Sequence, residues 1–293
     1  MFKKKTFTKD LNYSKILNYY STKINYCQYY KKLLEIFFKR LKAFFFITFS
    51  NKEIDNPSIK KNIYEKTWSG KTLSYENWFS NRSSNHLYNY KNTFFLASSG
   101  FIQRIHQYSI YKVIKKIQPK KVLEVGSGNG INLNLLSSLF LRIKFTGLEL
   151  TRNGVVYSRS IKKIDEQFYK GFFVKGTRIG NVNFIQGNAK QIPFLNNSFD
   201  LVFTVLALEQ MNSIYKNVIK EMVRVSSKYL VFIEPFQDLN SNILSFLHHR
   251  GSKYLSLKTY DLEKKFNIKI LFILKDFYNK ASLKTALIVA KKM

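Results

Sequence analysis

The sequence predicts an α/β protein built on a mostly parallel sheet, and three observations support this fold class. A short strand pattern over residues 122–125 runs into glycines at alternate positions, Gly126, Gly128 and Gly130. Apolar residues at helical spacing follow over residues 132–140. Further strand-like segments alternate with helical patterns, at residues 142–150, 182–189, 199–205 and 229–235. Strands that alternate with helices are typical of a parallel sheet covered by helices on both faces.

The glycine-containing turn between the first of these strands and its helix predicts a ligand-binding loop. Glycine lacks Cβ, so the backbone can approach a ligand closely, and the N–H groups at the helix start point towards it. The G-x-G-x-x-G dinucleotide fingerprint would need glycine at position 131, where this chain has Ile131. The loop therefore indicates a nucleotide-like ligand other than a standard dinucleotide.

A carboxylate at the end of the second strand strengthens this prediction. Glu149 lies 19 residues after Gly130, close to the spacing of roughly 20 residues that is typical of ribose-binding acids. A carboxylate there can accept hydrogen bonds from both ribose hydroxyls.

The E-x-G-x-G-x-G pattern that starts at Glu124 resembles motif I of class I S-adenosylmethionine (SAM) methyltransferases. Three later landmarks resemble the type-11 methyltransferase domain family in the same order: the turn at 187–189, Pro193-Phe194, and the S-F-D-L-V strand at 198–202. The resemblance covers roughly residues 97–293.

The resemblance implies a Rossmann-like sheet of seven strands with helices on both faces. Its last two strands would be residues 268–274 and 285–290, the final one antiparallel, preceded by a helix over 256–266. It also implies SAM as the cofactor. The implied cofactor-binding residues are Glu124, Gly126, Ser127, Gly128, Gly130, Glu149, Asn188, Ala189 and Leu206.

The chain departs from the family pattern at three places, one of which is the segment 226–228, Ser-Ser-Lys, where a proline-glycine-glycine turn is usual. Asn188 stands where the family usually has an aspartate that accepts from the adenine amino group, and an amide oxygen accepts without charge. Residues 165–180 form an insertion before the third strand, away from the binding edge.

Composition sets limits on the partners. The formal net charge is +31 over 293 residues, which favours anionic partners such as nucleic acid, anionic lipid or a phosphorylated substrate. Compositional drift is an equally open explanation. With Cys27 as the one cysteine, no internal disulfide and no cysteine-based metal site are expected. We expect a cytoplasmic protein, with peripheral attachment to a membrane as an open alternative.

We divide the chain into a basic, aromatic, helical extension (1–60), an irregular cap segment near the acceptor site (61–96) and the methyltransferase domain (97–293). Over residues 29–49 the extension predicts a helix, and five of its side chains form an apolar stripe: Leu33, Phe37, Leu41, Phe44 and Phe45. Basic residues flank the stripe, so it could lie on an anionic membrane surface. The alternative is that it packs on the catalytic domain or a second subunit.

For catalysis, Glu209 and Gln210 follow the fourth strand at the edge where α/β sheets bind ligands, and they are the best-placed candidates, with Glu209 as a general base. A capping or solvent-facing role for Glu209 is the alternative. His106 lies in the region expected to cover the acceptor and is a second candidate. The segment 206–209 lacks the N/D-P-P-Y/F tetrapeptide of many amino-group methyltransferases, and residues 97–293 contain no cysteine for pyrimidine C5 chemistry.

These observations predict a SAM-dependent methyltransferase that acts on a small-molecule, sugar or lipid-linked acceptor. RNA methylation through the basic extension is one alternative, and a non-catalytic, polyanion-binding protein that retains the fold is another. The acceptor, the base and the oligomeric state are not determined by these patterns.

Overall fold

A computed structural model of the protein describes residues 7, 11, 13, 21–49, 57–69, 86–90, 93–97, 99–164, 166, 169, 178–252, 256–275 and 279–293. All structural statements below concern these residues. Trp78 and most of the predicted insertion over 165–180 lie outside them.

The central sheet has seven strands, as predicted. In sheet order these are β6 (Val182–Gln186), β5 (Lys144–Glu149), β4 (Lys121–Val125), β7 (Phe199–Val205), β8 (Ser226–Glu234), β11 (Ala286–Lys292) and β9 (Ile268–Leu274). Strand β11 runs antiparallel to both of its neighbours, and the other pairs are parallel. The predicted fold class is therefore confirmed, including the antiparallel last strand.

Helices cover both faces of this sheet. In chain order they are α3 (Ser99–Ile117), α4 (Ile131–Leu139), α5 (Arg152–Ser160), α6 (Tyr215–Val225), α7 (Ile243–Ser252) and α8 (Asp261–Lys265). Because successive side chains of a strand point to opposite faces, the strands feed two separate cores. On one face Val122 and Phe203 pack with residues of α3 and α4. On the other face Leu123 and Val202 pack with residues of α6 and α8.

A second, four-stranded antiparallel sheet lies beside the first. Its order is β1 (Ser21–Ile24), β3 (Thr93–Ala97), β2 (His86–Tyr90) and β10 (Asn279–Lys280). The sheet unites strands from both ends of the chain. We expected residues 61–96 to be irregular, so the hairpin β2–β3 differs from that expectation. The difference arises because its partners lie far away in sequence and leave no local periodicity.

Side chains near the N-terminus belong to the main core. Phe7 is 1% exposed and meets Phe272 of β9 edge to face, with ring centroids 5.0 Å apart. The Tyr13 hydroxyl hydrogen-bonds to Ser109 Oγ of α3 at 2.8 Å. These contacts attach the extension to the catalytic fold.

The long helix α1 (Tyr26–Phe49) confirms the predicted helix, and one arc of it is covered. Of the predicted stripe, all members except Phe45 are partly buried. Phe44 packs near Phe246 of α7, with ring centroids 6.3 Å apart, and Tyr29 packs against Phe94 of β3 at 3.9 Å. The stripe therefore packs mainly against the rest of the chain. Among the described helices, none combines the length and apolarity needed to cross a bilayer.

Two further helices differ from the sequence-based expectation. The helix predicted over 256–266 is confined to α8 (Asp261–Lys265). Helix α7 was not predicted, since its sequence Ile-Leu-Ser-Phe-Leu-His-His-Arg-Gly-Ser has a glycine near its end and no strong polar face. Its core-facing Leu244 and Leu247 are buried.

Candidate functional site

A cavity of about 410 Å³ lies at the carboxyl ends of β4, β5 and β7. The chain order reverses at β4, which has β5 on one side and β7 on the other, and ligands of open α/β sheets bind at such switch points. A volume in this range suits a small organic ligand. The predicted residues that line it are Glu124, Gly126, Ser127, Gly128, Glu149, Asn188, Ala189, Leu206 and His106. Gly130 lies outside the lining.

The glycine loop follows β4 with three residues in the left-handed backbone region: φ is +76° at Gly126, +55° at Gly128 and +70° at Gly130. Other residues rarely adopt this conformation. A β-carbon on Gly130 would lie 2.5 Å from Ser158 of α5 and 2.7 Å from Phe184 of β6. Gly130 is therefore required by packing behind the loop. A β-carbon on Gly128 would lie 3.1 Å from the ring of Trp68, which itself lines the cavity.

Glu149 is buried at the end of β5, and its carboxylate holds the glycine loop through a hydrogen bond. Its Oε2 accepts from the Gly128 N–H at 2.9 Å, and its Oε1 accepts from the Thr151 N–H at 3.0 Å and the Thr151 hydroxyl at 2.6 Å. A carboxylate has about four acceptor positions, and these three bonds leave capacity at Oε2. Glu149 can therefore hold the loop and accept from a ligand hydroxyl at the same time.

Glu124 is 1% exposed and belongs to a chain of side-chain hydrogen bonds. Asn132 Nδ2 donates to Glu124 Oε1 at 2.7 Å, Gln107 Nε2 donates to Asn132 Oδ1 at 3.0 Å, and Arg104 Nη1 donates to Gln107 Oε1 at 2.9 Å. Burial raises the pKa of Glu124 to about 8, assisted by the nearby charge of Glu149, while the bond from Asn132 opposes the rise. Helix α3 thus positions a carboxyl group that can change its charge near neutral pH.

Two buried polar atoms in this cavity make no hydrogen bond within the described part of the chain: Glu124 Oε2 and Ser127 Oγ. A buried polar atom without a partner costs free energy, typically about 1–3 kcal/mol, so both atoms mark where a polar ligand would bind. The glycine cradle and the ribose-compatible carboxylate of Glu149 add to this pattern. The residues present therefore fit the SAM molecule that the sequence resemblance implies.

The loop after β7 is organised around a second buried carboxylate. Glu234, the last residue of β8, accepts from the N–H groups of Ala207, Leu208 and Glu209 at 3.0, 3.1 and 3.3 Å. Burial raises its pKa to about 7, and these bonds partly offset the rise. Leu206, with φ of +52°, starts the turn. Such a backbone angle in a non-glycine residue persists only where surrounding contacts enforce it.

This turn places Gln210 in the cavity lining and leaves Glu209 outside it. Glu209 is buried, and its Oε1 accepts from Gln210 Nε2 at 3.0 Å. The position of Glu209 does not favour the general-base role that the sequence suggested. Glu209 and Gln210 both belong to a 3₁₀ turn at Leu208–Gln210, and Gln210 is the one of the two whose residue lines the cavity.

Asn188 and Ala189 lie in the turn after β6, at the far end of the cavity. Asn188 is exposed, and its Oδ1 accepts from the Lys190 N–H at 2.9 Å. This local bond orients the amide and leaves its Nδ2 group available. The aspartate that is usual in the resembled family would present a charge at this position, whereas Asn188 presents an uncharged amide.

Helix α2 (Pro57–Thr67) contributes side chains to the cavity lining, and it overlaps the segment 61–96 that we expected to cap the acceptor site. Glu65 accepts from the N–H groups of Arg152 and Asn153 at 2.8 and 3.0 Å, in the first turn of α5. Lys60 Nζ donates to the carbonyl of Gln210 at 2.7 Å. The helix thus bonds to the loops after both β5 and β7, and Trp68 follows it directly over the glycine loop.

The part of the cavity beyond the glycine loop is mostly apolar. His106 of α3 lines it, 1% exposed, and its Nε2 lies 3.4 Å from Thr285 Oγ1. The neighbouring side chains that line this part are Ile102, Gln103, Val205, Met211 and Ile214. An apolar wall with one imidazole suits an organic acceptor that carries a proton-donating group.

Comparison with known proteins identifies a methyltransferase domain in this part of the chain. Residues 123–231 match a family model described as a methyltransferase domain. The matched range contains β4 to β8 and most of the cavity-lining loops. This family match identifies SAM as the cofactor of the domain.

Two relatives of known activity share part of the sequence. The fatty-acid O-methyltransferase of Mycolicibacterium smegmatis is 30% identical over 89 residues, which are 30% of this chain and 27% of the relative. The demethylmenaquinone methyltransferase of Geobacillus kaustophilus is 41% identical over 73 residues, 25% of this chain and 29% of the relative. The matches thus span less than a third of either relative.

Among solved structures, magnesium protoporphyrin IX methyltransferase from Synechocystis PCC 6803 is similar with a TM-score of 0.50. The likeness covers 65% of this chain and 84% of that protein, at 12% sequence identity. At that identity the likeness shows a common fold.

The two glycines of the loop should respond differently to the same substitution. Gly128→Ala places a methyl group under Trp68 in the cavity and should weaken SAM binding at least about tenfold, with a small change in melting temperature. Gly130→Ala forces its methyl group against Ser158 and Phe184 and should destabilise the fold by about 1–3 kcal/mol. Calorimetric titration and thermal unfolding of both variants measure the two effects. Unchanged SAM affinity in the Gly128 variant would contradict the assignment of the loop.

Proposed function

Residues 123–231 belong to the methyltransferase domain family, and on that basis we propose that the protein transfers a methyl group from SAM to a small-molecule or lipid-linked acceptor. The observation that carries the proposal is the cavity at the sheet switch point. There a left-handed glycine loop lies beside two buried polar atoms that lack partners, Glu124 Oε2 and Ser127 Oγ.

Each part of the site has a proposed role towards the cofactor. Glu124 and Ser127 would hold the amino-acid portion of SAM, and Glu149 would accept from its ribose hydroxyls. Asn188, Ala189 and Leu206 would border the adenine. When bound, SAM supplies a methyl group that is already electrophilic, because it is attached to a positively charged sulfur.

The chain must then align an acceptor, keep water out and remove a proton. Helix α2 and Trp68 line the cavity, and with an acceptor bound between them and the glycine loop they would help to keep water out. Alignment of the acceptor contributes most of the rate in a displacement of this kind. His106 is the residue that we propose as the base for a hydroxyl acceptor, because it lines the apolar part of the cavity.

The apolar wall supports an acceptor with a substantial hydrocarbon portion. The two relatives described above act, by their names, on a fatty acid and on demethylmenaquinone. We propose an acceptor of the same class, an organic molecule with a substantial hydrocarbon portion, for the present chain. We also propose that the enzyme works at an anionic membrane surface, from which an acceptor of this class would be drawn.

Glu124 should make SAM binding depend on pH. With a pKa of about 8, the free carboxyl group is mostly protonated at neutral pH, whereas a bound ammonium group would favour the charged form. Binding should therefore release a proton, and affinity should rise between about pH 6 and pH 8. Glu124→Gln keeps an acceptor for Asn132 but does not titrate.

Titration calorimetry in two buffers of different ionisation enthalpy measures this proton release. The Gln variant should bind SAM about tenfold or more weakly, with less proton release than the native protein. The amino group of SAM titrates in both proteins, so their difference isolates Glu124. Equal proton release by both would show that Glu124 does not contact the charged group.

The proposed reaction can be tested with SAM that carries a tritiated methyl group. Purified protein is incubated with separate lipid, small-metabolite and RNA extracts, and radioactivity is counted in each fraction. We expect label in the lipid or small-metabolite fraction, and clearly less of it with the Gly128→Ala variant when SAM is kept below its dissociation constant. Label confined to RNA would assign the enzyme to nucleic acid, and no label in any fraction would contradict methyl transfer to these classes.

Once an acceptor is known, the role of His106 can be tested separately. His106→Gln should lower kcat by about 10²–10⁴-fold, the usual contribution of a general base, while SAM affinity stays the same. The pH–rate profile distinguishes this role from a structural one. The native profile should fall on the acid side as the imidazole is protonated, and the variant should lack that limb. An unchanged acid limb in the variant would exclude His106 as the base.

A further inference from the structure

Helix α1 carries a second apolar arc, which points away from the rest of the described protein. We define this outer face as Tyr30, Leu34, Phe38, Phe45 and Phe49. These side chains are between 50% and 80% exposed. At 100° per residue they occupy a little more than a quarter of the helix circumference. The outer face is distinct from the arc that contains Leu33 and Phe44, which is partly buried against β3 and α7.

The outer face is a contiguous apolar patch, which differs from the isolated apolar residues that are common on protein surfaces. Five large apolar side chains, four of them aromatic, align along a helix of 24 residues. Contiguous exposed apolar patches of this kind mark interaction sites. The neighbouring helix α7 adds Ile243 and Phe246, which are 64% and 43% exposed. The surface therefore continues across two packed helices.

The charges that border the outer face indicate which partner would bind to it. Lys31, Lys39 and Lys42 are exposed along one border of the outer face, and the whole chain has a formal net charge of +31. Two copies of the chain that met through this face would bring these lysines together and repel each other. An anionic lipid surface would instead attract each of these lysines.

The form of the helix agrees with a lipid surface. An apolar arc with a basic border is typical of a helix that lies in the plane of a membrane interface. The same helix does not meet the length and apolarity needed to span a bilayer. Aromatic side chains such as Tyr30 and Phe38 suit the boundary between headgroups and acyl chains.

The location of the outer face relates it to the cavity. Helix α7, on which α1 packs, follows β8 at the carboxyl edge of the sheet. The last residue of β8, Glu234, holds the loop that borders the cavity. A protein bound through α1 would therefore present this edge on the side of the molecule nearest the lipid. We propose that the outer face of α1 docks the protein on anionic membrane surfaces.

Vesicle flotation tests this proposal independently of catalysis. Full-length protein is mixed with vesicles of phosphatidylcholine alone or with about one third phosphatidylglycerol, at low and high salt. We expect flotation with the anionic vesicles at low salt and its loss at high salt, since exposed charges are screened within about 3 Å at 1 M salt. Protein that stays in the soluble fraction with anionic vesicles at low salt would overturn the proposal.

Matched variants locate the contact. Phe38→Gln/Phe45→Gln should lower vesicle partitioning by about tenfold or more. The control Leu141→Gln/Leu195→Gln removes two exposed apolar side chains elsewhere and should have no effect. An equal loss in both double variants would show that another surface binds the lipid.

Charge reversal gives a second comparison. Lys31→Glu/Lys39→Glu/Lys42→Glu should abolish binding to anionic vesicles. The control is Lys115→Glu/Lys116→Glu/Lys120→Glu, which makes the same change in net charge. These exposed lysines lie in the last turn of α3 and in the loop after it. If the control loses binding to the same extent, net charge alone accounts for it and the outer face is not the docking site.

Two further measurements separate the alternatives. Analytical ultracentrifugation of native protein and the Phe38/Phe45 variant detects self-association. A native dimer that the variant converts to monomer, without a change in lipid binding, would assign the outer face to a second copy and overturn the proposal. SAM calorimetry on the same variant should be unchanged. Loss of vesicle binding with intact SAM binding thus separates this inference from the proposed function.

Discussion

Buried carboxylates that accept hydrogen bonds from backbone N–H groups hold the binding edge of this protein in place. Glu149 holds the glycine loop and the start of α5, and Glu234 holds the turn after β7. Glu65 does the same for α2, which it fixes to the first turn of α5. Each bond satisfies an N–H that neither a strand nor a helix can satisfy, and hydrogen bonds to a charged group are the stronger ones. Loops held in this way can keep the unusual backbone angles that the cavity needs.

Acidic residues that bond to the backbone occur elsewhere in the molecule too, within a chain that is strongly basic overall. The chain has 18 acidic residues against 49 basic ones, and many of the acids bond to backbone N–H groups instead of pairing with lysine. Asp200 accepts from Lys120 and Lys121, and Glu263 accepts from Ile270, all through backbone nitrogen. These acids keep their negative charge, so the long-range attraction for anions comes from the larger number of basic residues alone.

The central fold could be predicted because its signals are local. The strand, the glycine loop and the helix that follows occupy consecutive residues, and Glu149 lies at the spacing that such loops require. The site beyond that loop depends on contacts between distant segments. Trp68 lies over Gly128 although 60 residues separate them in sequence, and no periodicity could have indicated this. Asn132 could have been suspected, because it is a polar residue in the first turn after the glycines. The sequence pointed to both Glu209 and Gln210, and which of two neighbours in a 3₁₀ turn lines the cavity could not be read from sequence order.

The N-terminal helix shows a different limit of sequence reasoning. Its helical period was correct, but periodicity cannot tell which of two apolar arcs a protein covers. Phe44 and Phe45 are neighbours in sequence and were assigned to one stripe, yet Phe44 packs towards α7 while Phe45 is 50% exposed. Because successive residues on a helix point 100° apart, a stripe that contains both must extend across two faces. A helix that is apolar on two faces requires two partners. The first partner is formed by helix α7 and strand β3. The exposed arc is suited to a second partner, whose charge is opposite to that of the lysines.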